Sequence, residues 1–571
     1  MKFHRRTRWM FSLFSGGFAV IALLTCAMTA VADEQQSPIP GLSQREALHL
    51  GERMYREGIL PSGEPINAIV QDDIPILGTM FTCTSCHLRS GLGSYEGGVI
   101  TTPTTGNILY RPLFNGSELL PVERTKFPQY FQAPERRPAY TDDTLADVLK
   151  FGIDPTGRKL NPVMPRYDIS GRDMSILIFY LKSLSAELSP GVTAATIRFA
   201  TIVSDEVRPE DRKAMLMPLQ AYFKDRNSQA KTFETRRRYG AQAEAMDLSF
   251  RRPLLSVWEL KGPPETWRRQ LEAFYQREPV FAILGGITTG EWKPIHEFCE
   301  EHHLPSIFPI TDFPVISETD WYTLYFSKGL YQEGEAVARY LRRTELTTED
   351  KVIQVYSDTP EGNALARGFE ETWHALGRRP PTSRVLHKGE ALTSGLIQQL
   401  QDKGKPSALL LWGGSETLPI LETVSGMPDR PRMVFVSSSL LKQNLWTLPD
   451  TVRNITYITY PYRLPQEEGA YSNTAKVWLQ WRKIPVDDQR ISTKMYSLMQ
   501  LMTLTFMHMK RYFYRDYFLD VIGMFQDQQW NDYERFSFGP GQRYASKGCY
   551  IVQITNGLKP VLMKKSEWVI H

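Results

Sequence analysis

The sequence predicts a multidomain chain, with a small all-α unit followed by a longer α/β part folded as two lobes. Three observations predict it. The chain has 571 residues, too many for one core and enough for two to four domains of roughly 100–200 residues each. The stretch from Pro40 to Leu188 is rich in Gly, Pro and Arg, shows helical periodicity at both ends and has few strand signals. From Ile197 onward, short β-rich runs alternate with longer helical ones, the signature of parallel sheets covered by helices.

Taken in order, the chain opens with a targeting segment. Lys2, Arg5, Arg6 and Arg8 form a basic region, an apolar run follows from Trp9 to Met28, and Ala30-Val31-Ala32 supplies a small-x-small cleavage site before Asp33. Residues 1–32 therefore read as a signal peptide, with an uncleaved anchor in the inner membrane as the alternative. A lipoprotein reading of Cys26 is disfavoured by Thr25 before it. Hydrophobic content of 42% and charged content of 23% are ordinary for a globular chain. The net charge of +4 is too small for a nucleic-acid binder.

Residues 33–188 form the predicted helical domain. Ser43 and Glu46 make a capping box, after which Ala47, Leu48, Gly51, Met54 and Tyr55 recur at helical spacing. A second helix runs from about Gly171 to Ser185, with Ile176, Leu177, Tyr180, Leu181 and Leu184 as its apolar stripe. Between them lies Cys83-Thr84-Ser85-Cys86-His87. Two thiols at this spacing can add across the two vinyl groups of a haem while the adjacent histidine reaches the iron, so the motif reads as a c-type haem attachment site. Zinc would need a second ligand pair, and none is nearby. A redox CxxC pair would sit on a strand-to-helix turn rather than among Gly-rich loops. Met164, in Leu160-Asn-Pro-Val-Met-Pro-Arg166, is the expected sixth ligand, a soft thioether on a proline-stiffened loop. Met174, Met80 and His49 are the outsiders. Arg89, Arg111, Arg158 and Arg166 are candidates to pair haem propionates.

Residues 189–196, small and Pro/Gly-punctuated, are the expected linker. The α/β part, 197–571, then reads as strand–helix pairs: 197–203 and 208–227, 254–260 and 264–277, 280–284 and 291–302, 352–356 and 361–376, 408–412 and 416–424, with a further strand at 433–436. The remaining cysteines, Cys299 and Cys549, are either a disulfide or two separate buried thiols.

On Cys83-Thr-Ser-Cys-His87, Gly91, Gly93, Met164-Pro165 and Tyr180-Leu181, residues 40–188 resemble the class I cytochrome c family. The resemblance implies that the first and last helices cross, with Gly51 and Tyr55 meeting Phe179 and Tyr180. The chain departs from the family in a long insertion, Glu57 to Phe81. The region from Ile197 resembles the type I periplasmic solute-binding proteins of the branched-chain amino-acid and amide group. The resemblance rests on Val280-Phe-Ala-Ile-Leu-Gly-Gly286, Pro305-Ser-Ile-Phe-Pro309, Tyr356-Ser-Asp-Thr-Pro-Glu-Gly362 and Leu410-Leu-Trp-Gly-Gly414. It implies two lobes closing on a small ligand in a crevice at strand C-terminal ends. The residues it places there are Thr288, Thr289, Thr311, Asp312, Glu361, Ser415 and Ser438. The acid expected near Ser438 to hold an α-ammonium is missing, and Asp312 stands where a threonine is usual.

These readings combine into a periplasmic electron-transfer protein with one covalent haem c. Cys83 and Cys86 attach the haem, and His87 and Met164 ligate its iron. The partner is a periplasmic dehydrogenase or oxidase, and the two-lobed module senses a ligand or docks a partner. The alternative is the solute-binding component of an ABC-type importer with an accessory cytochrome. No enzyme constellation stands out.

Overall fold

The computed structural model describes residues 37–96, 99–114, 135–237, 251–344, 351–401, 406–467, 470–485, 487, 490–539 and 541–570. The signal peptide expected at 1–32 and its expected cleavage site lie outside them. No helix among the described residues is long and apolar enough to cross a membrane. The chain divides into two units, Met1–Ala186 and Glu187–His571.

The first unit is framed by two helices. Gln44–Glu57 starts at the predicted capping box: Ser43 Oγ accepts from Glu46 N, and Glu46 Oε2 accepts from Ser43 N at 2.9 Å. Gly171–Ser183 starts at Ser170, whose hydroxyl accepts from Asp173 N. The two cross as expected at Gly51, where a Cβ would lie 2.4 Å from Tyr180 Cβ and 2.9 Å from the Ile176 carbonyl oxygen. Tyr55 packs on Tyr180 with ring centroids 5.6 Å apart. Phe179 only borders this core. A third helix, Asp142–Phe151, has its own capping box from Thr141 and Thr144.

The unit is not all-α. The inserted segment folds into a hairpin, Asn67–Val70 with Ile74–Leu77, and its first strand also pairs antiparallel with Arg166–Asp168. Asn67–Val70 is the central strand of this three-stranded sheet, with Ile69 and Val70 as its β-branched residues, and the partner strand Arg166–Asp168 follows directly on the Met164 loop. The sheet anchors that loop to the rest of the unit.

The second unit contains two large sheets and a two-stranded antiparallel hairpin, Gln528–Trp530 with Tyr533–Phe536. The first has five parallel strands in the order Thr323–Leu324, Ser306–Ile307, Ala282–Leu284, Thr196–Ser204, Arg252–Leu260. The second begins with five parallel strands, Thr382–Leu386, Val352–Ser357, Ala408–Trp412, Met433–Ser437 and Thr456–Tyr460. Gly548–Ile554 then joins antiparallel, followed by Leu562–Lys564. Every residue of Ala408–Trp412 and Met433–Ser437 is buried, as expected for central parallel strands covered on both faces. Each predicted strand–helix pair is present.

The backbone passes between the lobes three times. It leaves the first sheet after Thr323–Leu324 for the helix Leu330–Arg342, and returns after Thr456–Tyr460 to pack the helix Ile491–Met509 into the first lobe's core. It crosses back before Gly548–Ile554. The first and third crossings run side by side. Tyr325 N donates to Arg543 O at 2.8 Å, and Ser546 N donates to Phe326 O at 2.7 Å. Residues 189–196, the expected linker, are tied into this unit: Ser189 Oγ accepts from Arg515 N at 2.9 Å, and Gly191 O accepts from Arg198 N at 2.8 Å. Cys299 and Cys549 are free thiols buried in different cores, one in each lobe.

Candidate functional site

The parallel strands of both sheets end toward a small cavity of about 30 Å³. Thr311 and Asp312 reach it from the loop after Ser306–Ile307. Glu333 comes from Leu330–Arg342, Ser439 from the short helix Ser438–Leu441 after Met433–Ser437, Tyr462 from the second crossing, Lys494 from Ile491–Met509 and Tyr533 from the strand Tyr533–Phe536.

Glu333 is the central group. It is 1% exposed. One carboxylate oxygen accepts from Ser437 Oγ at 2.8 Å and from the Thr459 hydroxyl. Burial pushes its carboxyl up to about 7, against the lowering effect of the hydroxyls of Ser439, Thr459 and Ser437. For Lys494, burial opposes the ammonium charge, but Tyr462, Asp312 and Asp532 outweigh it and raise the pKa. Arg490, one turn earlier, donates to Tyr460 OH at 2.9 Å, pairs with Asp532 at 3.4 Å and stacks on the Tyr462 ring at 4.3 Å. The arrangement is a buried acid that changes charge near neutrality, beside a fixed cation and two phenols.

Of the seven residues expected in the crevice, Thr311 and Asp312 line this cavity. The other five do not line it. Thr288 Oγ1 is buried without a hydrogen-bond partner. Thr289 is tied to Ser204 and Glu206. Glu361 lies in the first turn of Pro360–Ala375, and Ser415 is exposed. Ser438 opens a short helix capped by Ser437, whose hydroxyl accepts from Leu440 N. The acid missing from the strand end near Ser438 comes instead from Glu333, over 100 positions earlier in the chain. Sequence reading missed it, together with Lys494, Tyr462 and Tyr533. The available signal was the polar run Gln332-Glu333-Gly334-Glu335 inside a helix that packs on nearly every side.

In the first unit, Cys83–His87 is a short helix of its own. Cys83 Sγ lies 3.8 Å from Tyr167 OH, and burial pushes its thiol up to about 11. His87 is 8% exposed. Its Nδ1 sits 2.8 Å from the Thr102 carbonyl oxygen. A carbonyl only accepts, so Nδ1 carries the proton and Nε2 presents a lone pair. Nε2 is buried and has no hydrogen-bond partner. Burial lowers the imidazole to about 4, against the raising effect of the Thr102 hydrogen bond, so the ring is neutral at physiological pH.

Met164 is half-buried at the edge of the core that Cys83 also borders. Arg166 gathers its loop by donating to the carbonyls of Met164 and Leu160, and Gln71 N of the inserted hairpin donates to Pro162 O at 2.9 Å. Met174 is buried on the last helix, Met80 is 76% exposed, and His49 is exposed. Tyr167, Arg166, Met80, Phe151 and the hairpin line a concavity of about 680 Å³.

Residues 255–501 match the family model described as periplasmic binding protein. The match lies within the two-lobed α/β unit Glu187–His571, whose fold is periplasmic-binding-protein-like. No curated protein matches the chain. Solved structures similar to it include an ABC transporter substrate-binding protein from Sphaerobacter thermophilus, at 10% identity and a TM-score of 0.49, covering 66% of this chain and 98% of that one. A branched-chain amino acid ABC transporter from Thermus thermophilus with bound valine has 12% identity and a TM-score of 0.46, with 66% and 97% covered. A solute-binding protein from R. palustris in complex with benzoate has 12% identity and a TM-score of 0.45, with 66% and 98% covered.

Proposed function

We propose that residues 187–571 are an exported solute receptor, acting in the periplasm as the solute-binding component of an ABC-type importer and closing their two lobes on a small organic molecule. The observation that carries this reading is the buried polar cluster between the lobes. A carboxyl, an ammonium, two phenols and several hydroxyls converge at strand C-terminal ends, where ligands of open α/β sheets bind. Burying such groups is costly unless they gain partners, and a ligand's amine or amide is a partner that Glu333 and Asp312 can accept from. The family match to residues 255–501 supports the same role. The test is a thermal-shift screen of the full chain against amino acids, amides and small aromatic acids. A ligand in large excess raises stability by roughly 2–4 kcal/mol, and Glu333→Ala abolishes that rise. A screen in which no compound raises the melting temperature overturns the reading.

A second reading concerns the first unit, and His87 favours it. A neutral imidazole, fixed by its Nδ1–H and presenting a buried Nε2 without a partner, suits an iron ligand. Cys83 and Cys86 lie on the same short helix, and the arginine-gathered loop holds Met164. On this reading Cys83 and Cys86 attach one haem c, His87 and Met164 hold its iron, and the unit exchanges electrons with a periplasmic dehydrogenase or oxidase. When bound, the haem supplies one-electron transfer. The chain's own part is to fix the imidazole, stiffen the thioether loop and exclude water. Denaturing gels stained for haem test it: the wild type retains haem and the Cys83→Ala, Cys86→Ala double variant loses it. Met164→Ala lowers the reduction potential. A wild type free of covalent haem after expression with a c-type maturation system refutes the reading.

A further inference from the structure

A second cavity, of about 460 Å³, lies apart from the crevice. Its walls are the rings of Tyr222, Trp478, Tyr496 and Trp530, and its polar edge is Gln500, Gln528, Gln529 and Asn531. It shares with the crevice the helix Ile491–Met509, on another face, and the hairpin of Gln528–Trp530 with Tyr533–Phe536. On Ile491–Met509, Lys494 points to the crevice, whereas Tyr496, Met499, Gln500 and Thr503 line the second cavity. At 100° per residue the latter centre on roughly the opposite side of the helix. On the hairpin, Trp530 lines the second cavity and Tyr533 the crevice.

The chemistry of the lining selects a ligand. It holds no charged side chain, and an unpaired charge placed there would lose its hydration without compensation. Two arginines stack on lining rings, Arg482 on Trp478 at 4.2 Å, where it is paired with Asp225, and Arg226 on Tyr222 at 5.4 Å. Trp478 and Tyr496 meet at 5.4 Å, tilted by 52°, and form an angled wall rather than a closed stack. Rings offer flat apolar faces with polar edges, and primary amides offer both donors and acceptors. A group that presents C–H faces to rings and hydroxyls to amides satisfies both. The volume falls within the roughly 300–1,000 Å³ of small-molecule sites.

We propose that this cavity binds a neutral saccharide of one or two rings, independently of the crevice ligand. The experiment uses the full chain and four probes, glucose, N-acetylglucosamine, maltose and cellobiose. Each is titrated against tryptophan fluorescence, to which Trp478 and Trp530 contribute, and checked by calorimetry. At least one sugar is expected to give a saturable change. Trp478→Ala and Gln500→Ala are each expected to weaken it about tenfold or more, while Glu333→Gln leaves it within about twofold. Gln529→Ala, an exposed edge position, gives a second weakened variant that keeps the fold. The proposal is overturned if none of the four saturates, if the Trp478 and Gln500 variants bind as the wild type does, or if Glu333→Gln alone removes binding. The last outcome assigns the sugar to the crevice.

Discussion

Replacing Glu333 by Gln isolates the buried acid of the crevice. Burial moves its carboxyl from 4.5 to about 7, so the folded chain holds this proton more tightly than the unfolded chain does. Below about pH 4.5 both states are protonated and the stabilisation is complete. As the pH rises toward about 7 the unfolded state releases its proton first, and folding stability falls. At about 1.4 kcal/mol per pH unit, the loss across that window is about 3 kcal/mol. Asp312 and Lys494, which share the cavity, and Cys549, buried nearby, face the same group in both proteins. Gln keeps an oxygen for Ser437 and Thr459 to donate to, and it does not titrate. Urea unfolding followed by tryptophan fluorescence is compared for wild type and variant at about pH 5 and about pH 8. Other titrating groups cancel in the difference, leaving the wild type about 2.5 kcal/mol worse, relative to the variant, at the higher pH. A difference that stays constant with pH refutes the reasoning, because the carboxyl would then ionise in the folded state at its ordinary value.

Two further substitutions probe packing. Gly51→Ala adds a Cβ 2.4 Å from Tyr180 Cβ. Overpacking of about 1–3 kcal/mol outweighs the helix-propensity gain of up to about 1 kcal/mol, so the first unit unfolds at lower urea; an unchanged or raised midpoint contradicts the close crossing. Arg515→Met removes donors to the carbonyls of Val280, Phe281, His302 and His303 and to Tyr275 OH. Buried acceptors left unpaired cost about 3–5 kcal/mol together, seen as a lower urea midpoint at unchanged slope. A loss below about 1 kcal/mol shows that water replaces the guanidinium.

The strand–helix alternation was legible because each central strand is a short apolar run and each covering helix has one apolar face. The capping boxes at Ser43 and Thr141 act locally, and the first was read directly. The helix Leu330–Arg342 was not readable by the same rule. Gln332, Glu333 and Glu335 are all buried, Gln332 bonds the Gly548 carbonyl and Glu335 pairs with Lys328, so polarity does not mark the solvent face. The inserted hairpin was invisible for another reason. Neither Asn67-Ala-Ile-Val70 nor Ile74-Pro-Ile-Leu77 alternates apolar with polar residues, and the third strand of the sheet, Arg166–Asp168, lies about a hundred positions away. In the crevice, a reading confined to strand ends found Thr311 and Asp312 but not Glu333 or Lys494, which project from helices that enter after the chain has changed lobes.

The triple passage between lobes also sets when each lobe can be finished. The first lobe's sheet begins at Thr196, yet its core includes Trp530, Tyr533, Phe536, Phe538 and Ala545. The second lobe's sheet waits for Gly548–Ile554. During synthesis at about 5–20 residues per second, Phe199, Phe281 and Phe308 stay without their last partners for roughly 10–40 s after the first crossing has been made. Order of emergence is therefore not order of completion. A chain stopped short of Phe538 leaves two unfinished lobes rather than one finished and one missing.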